Sequence, residues 1–318
     1  MGKKIDKRDI AILWELSNNS RQPLTRIAQK INIPKETVKY RIEQFIKTGF
    51  LNKFYAIVNS AKFGFMFYEI YIKLQGIPEE YEKECIRKLE KHPYSCWLIS
   101  TSGQYSLTAV FLVKNPEQFY ECYNYVRSLF KNYAKDISVL FAIEGQQFEY
   151  PYFKSFKAAP LRTATIPMIP PQLDKRDNAI LKILTDNART PLKEISRKVR
   201  ATEKTVRSRI KWLEKNGFIL QYTILLRPGC YGYFFYNLFL RLDLPNKEIE
   251  NYLKTIPEIF YLVKTVGAYD LRAEFYVKSE ERVHEIEDAL YQRFGSKILH
   301  SEIMHVKKEH LVRYFADA

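Results

Sequence analysis

The chain has 318 residues, 46 % of them hydrophobic and 15 % aromatic, which fills several small cores and argues against disorder. Its net charge is +15, and no apolar run approaches the roughly 20 residues of a membrane-spanning helix. Cys85, Cys96, Cys122 and Cys230 show no Cys-x-x-Cys spacing, and the opening MGKKIDKRD lacks the apolar stretch of a secretory signal, so small core thiols in a reducing cytoplasm are expected.

A first helix is predicted over residues 7–18, with Ile10, Ile12, Leu13 and Leu16 on a buried stripe and polar Asn18-Asn19-Ser20 after it. Pro23 is placed just inside the next helix, which carries Leu24, Ile27, Ala28 and Ile31. After a short break at Asn32-Ile33, a third helix is predicted over 34–48. Pro34 is expected at its first helical position, Val38, Ile42 and Phe45 point inward, and Gly49 ends it. A β-rich stretch over 50–58 completes a winged helix-turn-helix pattern.

Strands at 68–74, 97–101, 105–113 and 137–143 alternate with amphipathic helices at 78–91 and 117–130, and Gly103 turns the middle strand pair. This βαββαβ order is ferredoxin-like. Residues 150–172, rich in Pro, Ala and Thr, read as an extended linker.

The chain then repeats itself at a constant offset of about 168 residues. Asp6, Lys7, Arg8, Asp9, Ile12, Leu13 and Leu16 recur as Asp174, Lys175, Arg176, Asp177, Ile180, Leu181 and Leu184. Asn19, Arg21, Pro23 and Leu24 recur as Asn187, Arg189, Pro191 and Leu192; Thr37, Val38, Arg41, Ile42, Gly49 and Phe50 recur as Thr205, Val206, Arg209, Ile210, Gly217 and Phe218. A second βαββαβ set follows, turning at Gly267. The expected class is α+β: winged helix-turn-helix domains at 1–58 and 173–226, ferredoxin-like domains at 59–150 and 227–318, and a linker at 151–172.

Charge location points to the partner. Residues 1–53 hold 12 Lys+Arg against 5 Asp+Glu, and residues 173–220 hold 13 against 6, so each segment carries +7 and the rest of the chain +1. Two compact basic modules fit a polyanion, double-stranded DNA. With Val38, Ile42 and Phe45 buried, the outward face of the third helix presents Lys35, Glu36, Lys39, Tyr40 and Glu43, with Thr37 early enough to donate to a phosphate. The second copy presents Glu203, Lys204, Arg207, Ser208 and Lys211, with Thr205 in the early position. Lys39 and Arg207 are equivalent and both can reach guanine acceptors or phosphates. Arg41 and Arg209 either touch backbone phosphates or support the helix. Any one of these side chains is also compatible with an ordinary solvated helix face.

Each half resembles the leucine-responsive (Lrp/AsnC, feast/famine) transcriptional regulators through Asp6–Leu16 and Asp174–Leu184, the Asn-x-Arg-x-Pro-Leu runs, Thr-Val-x-x-Arg-Ile and Lys-x-Gly-Phe. The resemblance implies DNA-binding regulation, with a small effector, commonly an amino acid, bound near a Gly-x-Tyr-Asp turn at a subunit interface. The second copy keeps that turn as Gly267, Ala268, Tyr269 and Asp270; the first has Gly103, Gln104, Tyr105 and Ser106, losing the carboxylate that can pair with an ammonium group. Plain turn chemistry explains the glycines equally well. The family's pairing through its ferredoxin-like sheets implies an internal pseudo-dimer, with homodimers or larger assemblies open.

The rival reading is an enzyme resembling siroheme decarboxylases, which share this paired two-domain architecture and use histidines around the second and third strands. His92, His284, His300, His305 and His310 lie outside residues 97–113 and 260–277, and a solvated imidazole is expected for His92. The five-residue spacing of the last three does not converge on a metal. No enzymatic activity, cofactor or metal is therefore expected.

Overall fold

The computed structural model describes residues 5–153, 161–164 (backbone), 173–227, 229, 232–313 and 315, so Cys230 and most of the expected linker lie outside the described residues. The chain divides into two compact units, one of Met1–Asn59 with Pro170–Gly232, the other of Ser60–Ile169 with Tyr233–Ala318. Each unit takes one part from each half of the repeat.

The first unit holds two three-helix sets: α1 (Lys7–Asn18), α2 (Leu24–Ile31) and α3 (Lys35–Lys47), then α6 (Lys175–Asp186), α7 (Leu192–Lys198) and α8 (Glu203–Lys215). Asp6 and Asp174 open the sets with capping boxes, each accepting from the backbone N–H three residues on while Asp9 or Asp177 returns the bond. Ile12, Leu13, Leu16, Ile27, Val38, Ile42 and Phe45 are buried, and so are Ile180, Leu181, Leu184, Ile195, Val206, Ile210 and Leu213. Ile10 is only half-buried, so the stripe of α1 is centred one residue away from the sequence expectation. Pro23, Pro34 and Pro191 each take the cap position in extended backbone, one residue before the expected place inside the helix.

The β-rich stretches do not form a hairpin within each copy. β1 (Leu51–Val58) pairs antiparallel with β7 (Ile219–Leu226) of the other copy, Tyr55 opposite Thr223. The loops interlock reciprocally. Arg189 Nη1 donates to the Ser20 carbonyl at 2.6 Å, and Arg21 Nη1 donates to the Ala188 carbonyl. Arg21 lies 5.5 Å from the Tyr222 ring and Arg189 5.4 Å from the Phe54 ring. The shared Asn-x-Arg motif thus holds the two copies together, a role that its sequence context does not reveal.

The second unit contains both βαββαβ sets: β2 (Met66–Leu74), α4 (Glu79–Lys91), β3 (Ser95–Ser102), β4 (Leu107–Val113), α5 (Pro116–Phe130) and β5 (Ala134–Gln147), then β8 (Phe234–Leu242), α9 (Lys247–Leu253), β9 (Ile259–Gly267), β10 (Leu271–Val277), α10 (Glu280–Phe294) and β11 (Ile298–Val312). The strand order is β2-β4-β3-β11-β8-β10-β9-β5, with β5 also pairing back to β2, so the eight strands close on themselves. β6 (Leu161–Ala164), inside the expected linker, adds to β5 at the edge.

Closure depends on the length of the last strands. The first of them, expected at 137–143, continues to Gln147, and its counterpart in the second copy continues to Val312. β5 leaves β2 and pairs Leu140–Gln147 with β9, while β11 leaves β8 and pairs His305–Val312 with β3. Strand alternation then sorts the side chains. Ile70 and Ile72 join Cys85, Leu89, Cys122 and Val126 under the helices, whereas Tyr71, Tyr105, Leu140, Phe239, Tyr269 and Met304 from both copies form a separate cluster.

Candidate nucleic-acid interface and the paired glycine turns

In α8, Thr202 Oγ1 accepts from the Thr205 N–H at 3.1 Å and starts the helix. Burial of Val206, Ile210 and Leu213 leaves Lys204, Arg207, Ser208 and Lys211 exposed and Thr205 half-buried. In α3, burial of Val38, Ile42 and Phe45 leaves Lys35, Lys39 and Tyr40 exposed and Thr37 half-buried. The structure therefore brings the predicted side chains of each copy together on one helix face.

The two faces differ electrostatically. Lys39 lies 4.0 Å from Glu43, and Lys35 lies 4.0 Å from Glu36. Arg207, Lys211 and Lys204 have no ion pair among the described residues. On α8 the one first-turn carboxylate, exposed Glu203, makes no ion pair with Lys204, Arg207 or Lys211 among the described residues, whereas a phosphate approaching α3 competes with Glu36 and Glu43 for their lysines.

Arg41 and Arg209 are engaged elsewhere. Arg209 Nε donates to Asp177 Oδ1 at 2.7 Å, with a second bond from Nη2 to Oδ2, and Asp177 is fully buried. Arg41 Nη1 donates to Asp6 Oδ2 at 2.8 Å and also to buried Asp9. These ion pairs brace the third helix of each set against the first, and the same carboxylates close the capping boxes. The Asp177 backbone N–H holds the Asp174 carboxyl below its ordinary range.

The expected effector turns lie where the copies meet in the second unit. Gly103 has φ +128°, and a Cβ there would stand 3.0 Å from the Ile303 carbonyl oxygen of β11. Gly267 has φ +140°, and its Cβ would stand 2.6 Å from the Val139 oxygen of β5. Both glycines are therefore required by positive φ and by close backbone approach of the opposite copy. Tyr105 and Tyr269 are buried, and their carbonyls accept from Thr101 and Thr265 hydroxyls, each at 2.7 Å. Tyr269 Oη donates to Gln104 Oε1 at 2.9 Å, linking the two turns. Asp270 Oδ2 accepts from the Leu242 N–H at 2.8 Å; Ser106 Oγ accepts the equivalent bond from Leu74 at 3.1 Å. Serine thus keeps the backbone role of the aspartate without its charge.

His92, expected to be solvated, is half-buried. His92 packs 5.0 Å from the Tyr125 ring and 5.5 Å from Phe111, and burial lowers its pKa. His310 Nε2 lies 2.8 Å from Ser100 Oγ, and burial pulls its pKa from 6.5 to about 4. The unfolded chain therefore takes up this proton near pH 6.5, while the folded chain resists until about pH 4. His310's contribution is complete above pH 6.5 and lost as the pH falls through that window. We expect a loss of about 1–2 kcal/mol by pH 4, discounted for partial exposure, in urea unfolding across that range. A His310→Gln variant that loses as much stability would contradict this. Among the described residues no group of three or more His, Cys, Asp or Glu could hold a metal ion, and no helix is long and apolar enough to cross a membrane.

Residues 5–52 and 173–219 match a family described as winged helix-turn-helix DNA-binding. The HTH-type transcriptional regulator FL11 of Pyrococcus horikoshii is 30 % identical over 134 residues, 42 % of this chain and 89 % of that protein. LrpA of the same organism is 34 % identical over 116 residues, 36 % of this chain and 82 % of that protein. Ptr1 of Methanocaldococcus jannaschii is 37 % identical over 100 residues, 31 % of this chain and 68 % of that protein. Among solved structures, the siroheme decarboxylase NirDL aligns over 98 % of this chain and 95 % of its own, with a TM-score of 0.64 and 14 % identity, a likeness of fold alone.

Proposed function

The chain belongs to the Lrp/AsnC family of HTH-type transcriptional regulators as a tandem duplicate that binds DNA, and from that premise we propose that it reads one asymmetric operator with two unlike helices. The carrying observation is the contrast between exposed Arg207 and Lys211 on α8, which have no ion pair among the described residues, and the Glu-flanked lysines of α3. In this reading α8 supplies most of the phosphate neutralisation and base recognition, and α3 reads a weaker half-site. The pairing of β1 with β7 makes one chain an internal pseudo-dimer, the two-helix arrangement that a palindromic operator normally needs two chains to supply. The winged helix-turn-helix DNA-binding match supports a place in the cytoplasm.

An amino acid is the proposed effector, at the second copy's turn. Asp270 Oδ1 has no hydrogen bond among the described residues and is the group for an ammonium; Ser106 offers none in the first copy. The decarboxylase reading has fold likeness at 14 % identity behind it and no histidine on the β3–β4 or β9–β10 strands.

Selection from a random duplex pool by the full chain, with and without an amino-acid panel, tests the proposal. Enrichment of one sequence class is expected, with a shift on adding one amino acid. Tetrapyrrole binding with no duplex enrichment would favour the enzyme.

A further inference from the structure

We propose that the buried ion pair between Arg272 and Glu69 is a matching element, making the first half of the closed sheet pair with the second half rather than with a copy of itself. The inference is independent of how DNA is read.

The sheet register identifies the equivalent positions. Glu69, fourth in β2, opposes Val110 of β4; Asn237, fourth in β8, opposes Glu274 of β10. Two residues on, Tyr71 opposes Thr108 and Phe239 opposes Arg272. The first half thus presents Glu69, Tyr71, Thr108 and Val110 where the second presents Asn237, Phe239, Arg272 and Glu274. The repeat, so faithful in the helix-turn-helix sets, diverges at all four places.

In the structure these unlike sets complete each other. The Arg272 and Glu69 side chains are 4 % and 3 % exposed, and Arg272 Nη2 donates to Glu69 Oε1 at 2.8 Å. Arg272 Nη1 donates to Glu274 of its own half. Tyr71 Oη donates to the other oxygen of Glu69, and the Tyr71 ring meets Phe239 edge-on at 5.3 Å. The guanidinium lies 5.2 Å from the Trp97 ring, also from the first half. One cation therefore serves a carboxylate from each half.

Self-pairing of first halves leaves charges unmatched. Two first halves would bury two Glu69 carboxylates with no Arg272 between them, an arrangement that burial strongly disfavours. Two second halves would leave each Arg272 with Glu274 but opposite a neutral Asn237. Mixed pairing gives Glu69 the cation that a pair of first halves lacks, although Asn237, Thr108 Oγ1 and Arg272 Nε stay buried without a hydrogen-bond partner among the described residues; specificity comes from excluding the first-half pair as well as from the bond itself.

Thermal unfolding of the full chain tests the proposal through variants E69Q, R272M, E69Q/R272M and E274Q/R272M. R272M is expected to lower the midpoint by roughly 5–10 °C, because two carboxylates then share a dry site without a cation. Adding E69Q should recover at least half of that loss, and more than adding E274Q does. An unchanged midpoint in R272M overturns the proposal. So does recovery by E274Q without recovery by E69Q, which would confine Arg272 to its own half. The variant N237E/F239Y/R272T/E274V, which gives both halves the first half's residues at all four places, is expected to melt below R272M; a wild-type midpoint would overturn the matching role.

Discussion

An Arg207→Ala/Lys211→Ala double variant binds its duplex on the order of 100-fold more weakly than the parent chain, since each charge-assisted bond to a base or phosphate is worth about 1–3 kcal/mol. Both side chains are exposed on α8 and have no ion pair among the described residues, so nothing in the free protein offsets their removal. Each phosphate neutralised adds about 0.9 to the slope of log affinity against log salt. Removing two such cations therefore flattens that slope by about 2. Lys35→Ala/Lys39→Ala should cost less, because those lysines lie 4.0 Å from Glu36 and Glu43 and already share their charge. Fluorescence anisotropy at several salt concentrations measures both. Equal losses from the two pairs, or an unchanged slope, would remove α8 from the leading role.

Gly267→Ala is expected to destabilise the second unit by about 3 kcal/mol or more. Two effects add. At φ +140° any side chain is strained. The new Cβ would also stand 2.6 Å from the Val139 carbonyl oxygen and 2.8 Å from Leu140 Cδ2, and the carbonyl belongs to a paired strand that cannot move freely. Gly103→Ala meets the Ile303 oxygen at 3.0 Å, so it should cost less. Gly76 and Gly64 have positive φ with open space around them, and alanine there should cost about 1 kcal/mol, from backbone conformation alone. Denaturant unfolding ranks the four. If Gly267→Ala costs no more than Gly76→Ala, the close approach of the two copies at that turn is not the constraint.

The helices were the most legible part of the fold. Their burial pattern follows Val38, Ile42 and Phe45 and their counterparts, and the Asp-x-x-Asp boxes sit at the helix starts. Helical periodicity is local, so one sequence suffices to read it. What escaped was non-local. The stretch at residues 50–58 looks like half of a wing, but its partner is about 168 residues away, and no residue in it says so. The tails of β5 and β11 carry Glu144, Gly145, Gln146 and Gln147, and Lys307, Lys308, Glu309 and His310, which lack the apolar alternation of a strand. They are strands because a neighbour from the other copy supplies the hydrogen bonds.

The site divides in the same way. The exposed faces of α3 and α8 follow once the buried faces are known. Arg41 and Arg209 could be read as phosphate ligands or as braces, and only the geometry places them on Asp9 and Asp177. Arg272 gave no signal. It is one arginine in the apolar run Leu271–Val277, and the partner that makes its burial tolerable lies on β2.

Two unlike reading helices joined as a pseudo-dimer in one chain should leave an asymmetric footprint. Hydroxyl-radical footprinting of the full chain on its selected duplex tests this most directly. Two protected segments about one helical turn apart are expected, unlike in sequence, with the stronger protection lost in Arg207→Ala/Lys211→Ala. A perfect palindrome protected equally on both arms, and weakened equally by that variant, would contradict it.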